Sequence, residues 1–302
     1  MEKLFLVPYG GLGNQMFQIA AALSSTSNDI WVVSNWGFAR RNIDGMIEIE
    51  SWEFNSRVKF LASPTGSNFS RRLLNFMLRL GAQNRRILLL RMLEIFTAPY
   101  FSVLIGHNTS VSINRGLGFS KLKFQKNTLL IGYFQCASFA KSVINEMLSS
   151  YPKYLSEHAL QLIDKAKRKS VLVVHVRRGD YLNEKFGILT DSYYEKALEI
   201  IEHDLFEEIW VFSDDIESAK LIQILKKRNN VRFIEDKTLE SSEVLEVMRF
   251  GSGFIIANSS FSWWAAQLRY KRIARVVCPS PWFKFTISPE GIIDNDWIAI
   301  SW

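Results

Sequence analysis

The chain has 302 residues, 48% of them hydrophobic and 22% charged, with a formal net charge of +7. A length above the ~250–300 residues at which single cores stop growing points to two domains. The positive balance suits an anionic ligand or surface but does not by itself indicate nucleic acid. Cys136 and Cys278 match no metal-ligand spacing and no disulfide framework, which favours a reducing compartment.

The opening residues Met1-Glu2-Lys3-Leu4-Phe5-Leu6-Val7-Pro8-Tyr9-Gly10 lack the longer apolar stretch of a secretory signal. They read as a first strand, Leu4-Phe5-Leu6-Val7, entering the glycine loop Gly10-Gly11-Leu12-Gly13-Asn14-Gln15, with an apolar helix from Met16 to Leu23. A second strand is expected at Ile30-Trp31-Val32-Val33. The arginines concentrate between Arg71 and Arg91, in a pattern of one or two basic amphipathic helices. Such a face is either solvated or in peripheral contact with anionic lipid or a lipid-linked acceptor. Phe76 is the single aromatic residue within this arginine run, short of the interleaving of a nucleic-acid-binding surface, and nucleic acid is not expected as a partner. No apolar run approaches the ~20 residues that span a bilayer, so the expected location is cytoplasmic, free or peripheral at the inner membrane face.

Thr128-Leu129-Leu130-Ile131-Gly132-Tyr133-Phe134-Gln135 reads as a strand opening into a loop, and residues 139–166 are mostly helical in pattern. The domain break is placed between residues 155 and 156. From Val171 onward strands and helices alternate: strands at 171–174, 209–212, 231–234 and 253–257, helices near 191–203, 216–227 and 240–250, and a last helix from about Trp263. That alternation implies a parallel, doubly wound α/β sheet, with the second half the cleaner Rossmann-like unit.

Three segments carry chemistry. The glycine loop fails as a dinucleotide fingerprint, because the third glycine falls on Met16 and residues 31–43 contain no acidic residue. What remains is a close turn before a helix, with Gly11, Gly13, Asn14 and Gln15 on the cleft or acceptor side. His175-Val176-Arg177-Arg178-Gly179-Asp180 follows the strand Val171-Leu172-Val173-Val174, so two guanidinium forks arrive at a strand's carboxyl end, where ligands of open α/β sheets bind. Ser213-Asp214-Asp215 follows the next strand. Adjacent carboxylates there suit a metal bridging a diphosphate, or one receives guanine or ribose donors while the other caps a helix. The nearby arginines favour the metal-free reading. Asn258-Ser259-Ser260-Phe261-Ser262-Trp263-Trp264 sets amide and hydroxyl residues between a strand and a helix start, where backbone N–H groups favour anions. Trp263 and Trp264 are expected to pack the core.

These segments, with Gly132-Tyr133-Phe134-Gln135, resemble the signatures of the alpha-1,2-fucosyltransferase family, in order from residue 10 to about 268. The resemblance implies a GT-B-like α/β fold of two Rossmann-like domains with parallel sheets facing a cleft, residues 1–155 on the acceptor side and 156–302 binding a GDP-sugar. It implies an inverting, metal-independent transferase with no cofactor, moving L-fucose from GDP-fucose to the 2-hydroxyl of a galactose-terminated oligosaccharide, free or lipid-linked. By the same resemblance His175, Arg177, Arg178, Asp215, Asn258, Ser259, Ser260 and Phe261 bind the donor. Arg177 stabilises the leaving group, Asp215 recognises guanosine, and Asp180 orients the arginines. No residue is assigned as general base. A transferase of another GDP-sugar or acceptor hydroxyl, and a non-catalytic GDP-sugar-binding protein, are the alternatives. The chain departs from the pattern at Met248-Arg249-Phe250-Gly251-Ser252-Gly253 and in its second strand, departures that bear on the acceptor.

Overall fold

A computed structural model describes residues 2–34, 47–54, 57–61, 68–83, 87–118, 127–179, 186–235 and 238–302. Asp180, Arg85 and Arg86 lie outside the described residues. The chain forms two compact units, Met1–Tyr151 with Pro289–Ile292, and Pro152–Ser288 with Ile293–Trp302.

The first unit runs β1 (Leu4–Leu6), α1 (Leu12–Ser25), β2 (Ile30–Val33), β3 (Trp52–Glu53), β4 (Val58–Leu61), α2 (Asn68–Ala82), α3 (Ile87–Ile105), β5 (Thr109–Ile113), β6 (Asn127–Ile131), α4 (Ala137–Ser142) and α5 (Ile144–Leu148). Its sheet has the order β4-β2-β1-β6-β5 with every neighbour parallel. Strands of such a sheet are covered on both faces, which is why β1 is apolar at each position and wholly buried.

Helix α1 begins at Leu12, four residues before the expected start, because Gly13, Asn14 and Gln15 belong to its first turns. The turn before it needs glycine: Gly10 has φ +78°, and a Cβ there would meet Asn14 Nδ2 at 2.6 Å. Gly132 ends β6 at a closer approach still, since a Cβ would coincide with the Asn114 side chain.

The absence of a bilayer-length apolar run requires correction. The 19 residues of α3 form a helix long and apolar enough to cross a membrane. Arg91 and Glu94 interrupt its sequence, yet the helix continues through both and through Pro99.

A short strand, β7 (Tyr151–Pro152), straddles the boundary in sequence. The second unit follows with α6 (Glu157–Arg168), β8 (Val171–Val176), α7 (Asp191–Ile200), β9 (Glu208–Ser213), α8 (Ile216–Lys220), α9 (Gln223–Lys226), β10 (Val231–Phe233), α10 (Ser241–Arg249), β11 (Gly253–Ile255), α11 (Ser260–Gln267), β12 (Val276–Ser280) and β13 (Ile298–Ser301). The N-terminus of α6 is capped by Ser156, whose hydroxyl accepts from Ala159 N at 3.2 Å. Its buried positions Ala159, Leu162, Ile163 and Ala166 recur at one-turn spacing. All six sheet strands are parallel, in the order β10-β9-β8-β11-β12-β13. Counted from β8 as the first, this is the 3-2-1-4-5-6 order of the doubly wound fold. The alternation expected from the sequence is therefore the observed one.

Three details differ. The helix expected over 216–227 is two short helices, and 139–166 is broken into α4, α5, β7 and the start of α6. The last helix starts at Ser260, because Ser259 already caps it. Trp263 and Trp264 are wholly buried, in edge-to-face contact at 5.0 Å, as expected of core residues.

Candidate functional site

The order 3-2-1-4-5-6 reverses direction between β8 and β11, which are hydrogen-bonded neighbours with Val174 opposite Ile255. Crossovers leave this pair toward opposite sides, so the space beyond their carboxyl ends stays uncovered, the usual ligand position of such sheets. His175 is the penultimate residue of β8, Arg177 and Arg178 leave the strand at that point, and Asn258 to Phe261 follow β11 there. The segments singled out in the sequence thus converge at one end of one sheet.

The β8–β9 register sets the details. His175 lies opposite Phe212 and Val176 opposite Ser213, so the next residues out, Arg177 and Asp214, come side by side. Arg177 Nη1 is 3.3 Å from Asp214 Oδ2, and Arg178 N donates to Asp214 Oδ1 at 2.9 Å. A Cβ on Gly179 would meet Oδ2 of the same carboxylate, so a side chain there would push Asp214 aside. Asp214 therefore fixes the course of three successive residues. Sequence reasoning did not single it out for this role; the available signal was an acid and an arginine at equivalent exits of adjacent strands.

The two arginines are placed differently. Arg178 Nη1 donates to the Leu189 carbonyl at 2.8 Å, and its guanidinium lies 6.0 Å from the Tyr194 ring centre. Its side chain braces the loop against α7. Arg177 is the one turned across the strand end toward Asp214, partly exposed.

Asp215 caps α8, with Oδ1 accepting from Ser218 N at 3.1 Å and Oδ2 from Ser218 Oγ at 2.6 Å. Those hydrogen bonds lower its pKa. The helix cap expected of one of the two acids is thus Asp215, and Asp214 pairs with Arg177, a role that neither reading of the pair gave it.

His175 is buried against the sheet, with its ring centre 6.1 Å from that of Phe261. Burial first, and the Arg177 charge second, push its pKa down to about 3. The imidazole is therefore neutral at neutral pH, offering one donor and one acceptor nitrogen. Its Nδ1 has no hydrogen-bond partner among the described residues.

Across from it, Asn258 is buried and donates to the Phe186 and Gly187 carbonyls at 3.3 and 3.1 Å. Ser259 is the N-cap of α11, its hydroxyl accepting from Phe261 N at 3.4 Å. Ser260 and Phe261 occupy the first turn, partly exposed, where backbone N–H groups point outward and favour negative charge. Tyr193 ties α7 to the end of β11, donating from its hydroxyl to the Ile256 carbonyl at 2.6 Å.

The first unit carries a second convergence, at its own β1–β6 neighbours. Gln135 Nε2 donates to Asn14 Oδ1 at 2.8 Å, joining the Gly132–Gln135 segment to the glycine loop. Gln15 is turned inward and wholly buried: Nε2 donates to the Gly10 carbonyl at 2.6 Å and Oε1 accepts from Ile49 N at 2.8 Å. Gly13 is also buried, whereas Gly11 and Asn14 are partly exposed. The α1 N-terminus already holds an anionic group, since Leu12 N donates to the Glu48 carboxylate. The glycine loop of this unit is thus closed by a carboxylate of its own chain.

A family model described as glycosyl transferase family 11 matches residues 96–301, two thirds of the chain and all of the second-unit site. The chain belongs to glycosyl transferase family 11. Two similar proteins are both from Escherichia coli. An alpha-1,2-colitosyltransferase is 27% identical over 293 residues, covering 91% of this chain and 90% of the relative. The O-antigen biosynthesis glycosyltransferase WbnK is 28% identical over 317 residues, covering 96% and 98%. Among solved structures, a glycosyl transferase family 9 protein from Veillonella parvula is 9% identical, with a TM-score of 0.50 over 99% of this chain and 87% of that one. The resemblance to the fucosyltransferase family and the GT-B-like α/β fold class expected from the sequence are therefore those of the chain.

In this family 11 glycosyltransferase, no group of three or more His, Cys, Asp or Glu among the described residues is placed to hold a metal ion. The positive groups at the β8–β11 exit are a guanidinium and helix N–H groups, which match the oxygens of a diphosphate.

Two outcomes follow from this geometry. Asp214→Ala removes the acceptor of Arg178 N and the partner of Arg177, and is expected to cost about 1–3 kcal/mol in urea unfolding. A variant as stable as the parent would show that the carboxylate does not organise the loop. For His175 the folded pKa is depressed, so its stabilising contribution is complete above the unfolded value of 6.5 and is lost as pH falls toward about 3. The difference in unfolding free energy between the parent and His175→Gln should therefore shrink progressively from pH 6.5 downward. A difference that does not change with pH would mean that the ring is not held neutral.

Proposed function

We propose that this glycosyltransferase moves L-fucose from GDP-fucose to the 2-hydroxyl of a terminal galactose, forming an alpha-1,2 linkage with inversion and without a metal ion. The observation that carries the reading is Arg177, set by Asp214 beside neutral His175 and opposite the N-terminus of α11. The motifs at these positions are those on which the fucosyltransferase resemblance rests.

In this reading the bond between fucose C1 and the β-phosphate oxygen breaks as the acceptor O2 attacks from the opposite face and forms the new C1–O2 bond. The electron pair of the broken bond stays on the diphosphate, and the proton of the attacking hydroxyl passes to water. Arg177 and the first N–H groups of α11 meet that charge as it develops, already in place and needing little reorganisation. His175 donates or accepts one hydrogen bond as an uncharged group, so the local positive charge resides on the arginine. Asp215 is partly exposed, and its carboxylate keeps lone pairs beyond those used by Ser218 for guanine N–H groups or ribose hydroxyls. Asn14 and Gly11 belong to the acceptor side.

One observation favours a second donor. The 27%-identical relative is named an alpha-1,2-colitosyltransferase, and colitose is L-fucose without its 3-hydroxyl. A site that hydrogen-bonds this hydroxyl rejects the deoxy sugar strongly, whereas a site that leaves it in an apolar space discriminates only by roughly 10–200-fold.

The test is incubation of the purified protein with GDP-fucose or GDP-colitose and a panel of β-galactosides, with the linkage of each product determined. The expected product carries fucose on O2 of galactose, and its rate of formation is unchanged by EDTA. Colitose as the preferred sugar would replace the donor. Loss of transfer on chelation, restored by Mn²⁺ or Mg²⁺, would overturn the metal-free mechanism.

A further inference from the structure

Helix α3 is apolar on two opposite faces. Leu90, Thr97, Phe101 and Ile105 are buried where it packs along β5. On the other side Leu88, Met92, Ile95, Phe96, Pro99 and Val103 recur at one-turn spacing and form an exposed stripe, with Leu88 73%, Phe96 72% and Val103 81% exposed. At 1.5 Å per residue the stripe is about 22 Å long. Exposed apolar surface of this extent on a folded chain marks a docking face.

The sequence that leads into it carries charge of one sign. Residues 54–93 contain eight basic residues, Arg57, Lys59, Arg71, Arg72, Arg79, Arg85, Arg86 and Arg91, and no acidic one. The rest of the chain therefore carries a net charge of −1 against the total of +7. The single acid of α3, Glu94, faces the body of the unit, where it accepts from Ile113 N at 2.9 Å. Helix α2 lies alongside, with Ser70 and Tyr100 hydroxyls 2.6 Å apart and exposed Phe69 edge-on to Tyr100 at 5.7 Å. Exposed Arg71, Arg72 and Arg79 are on the same helix. An open groove of about 570 Å³ continues the apolar surface past Pro99 and Val103 to His107.

We propose that α3, flanked by the arginines of α2, docks this glycosyltransferase onto the surface of a bilayer containing anionic phospholipid. The exposed stripe enters the interface while the arginines meet the phosphate headgroups, the division of labour of an in-plane helix. The helix lies on the membrane and does not cross it, because crossing would detach Leu90, Phe101 and Ile105 from the sheet.

The experiment is flotation of the full chain with phosphatidylcholine vesicles, with and without phosphatidylglycerol. Binding is expected to be tighter by roughly tenfold or more on the anionic vesicles and to weaken as salt screens the charges. The triple variant Leu88→Ser, Phe96→Ser, Val103→Ser should lose binding while unfolding as cooperatively as the parent. The triple variant Arg71→Gln, Arg72→Gln, Arg79→Gln should lose the preference for phosphatidylglycerol. Neither variant touches the donor site, so both should transfer sugar to a soluble acceptor at the parent's rate. Failure of the parent to float with either vesicle would overturn the proposal. A parent dimer that the serine variant disperses, without vesicle binding, would assign the stripe to a second copy of the chain. The flotation readout does not depend on which sugar is transferred, so it stands or falls apart from the proposed reaction.

Discussion

The register between β8 and β9 is the constraint on which the site depends. Pairing Val176 with Ser213 makes Arg177 and Asp214 the first residues beyond the sheet on adjacent strands. One carboxylate then holds a guanidinium, a backbone N–H and a close-packed glycine. A slip of one residue would turn each of these side chains to the other face of the sheet and scatter the group.

The strand order does the rest. Because β11 follows β8 in the sheet but not in sequence, the Asn258–Phe261 turn arrives beside the Arg177 loop from the far end of the chain. The charge pattern is economical. Arg178 braces the loop, Asp215 caps a helix, His175 is neutral, and Arg177 with the α11 N-terminus presents positive character outward. Such a distribution suits a ligand with concentrated negative charge on a few oxygens. The first unit uses the same topological device at β1 and β6 with the opposite chemistry, since Glu48 already occupies its helix N-terminus.

Much of this was legible in the sequence, for physical reasons. Strands covered on both faces show as unbroken apolar runs, and the motif residues sit directly after them, so the alternation from Val171 and the strand-end loops could be read. The hidden parts depend on long-range partners. Asp214 and Asp215 are indistinguishable as neighbouring acids, and only the turn after β9 aims one at Arg177 and the other at Ser218. Glu48 is 36 residues from the N–H it receives. Gln15 reads as a polar residue of a loop, whereas its helical position turns it into the core. Helix α3 is hidden in the sequence because Arg91 and Glu94 break its apolar run, while in three dimensions Glu94 is drawn inward and leaves the outer stripe continuous.

The central claim is that Arg177 stabilises the leaving diphosphate. It is tested most directly by measuring GDP binding by calorimetry and steady-state transfer for Arg177→Ala beside the parent. The account predicts a variant that unfolds cooperatively, binds GDP more weakly, and loses about 10²–10³ in kcat, as for removal of one preorganised donor. Near-parental turnover in a folded Arg177→Ala protein would contradict it.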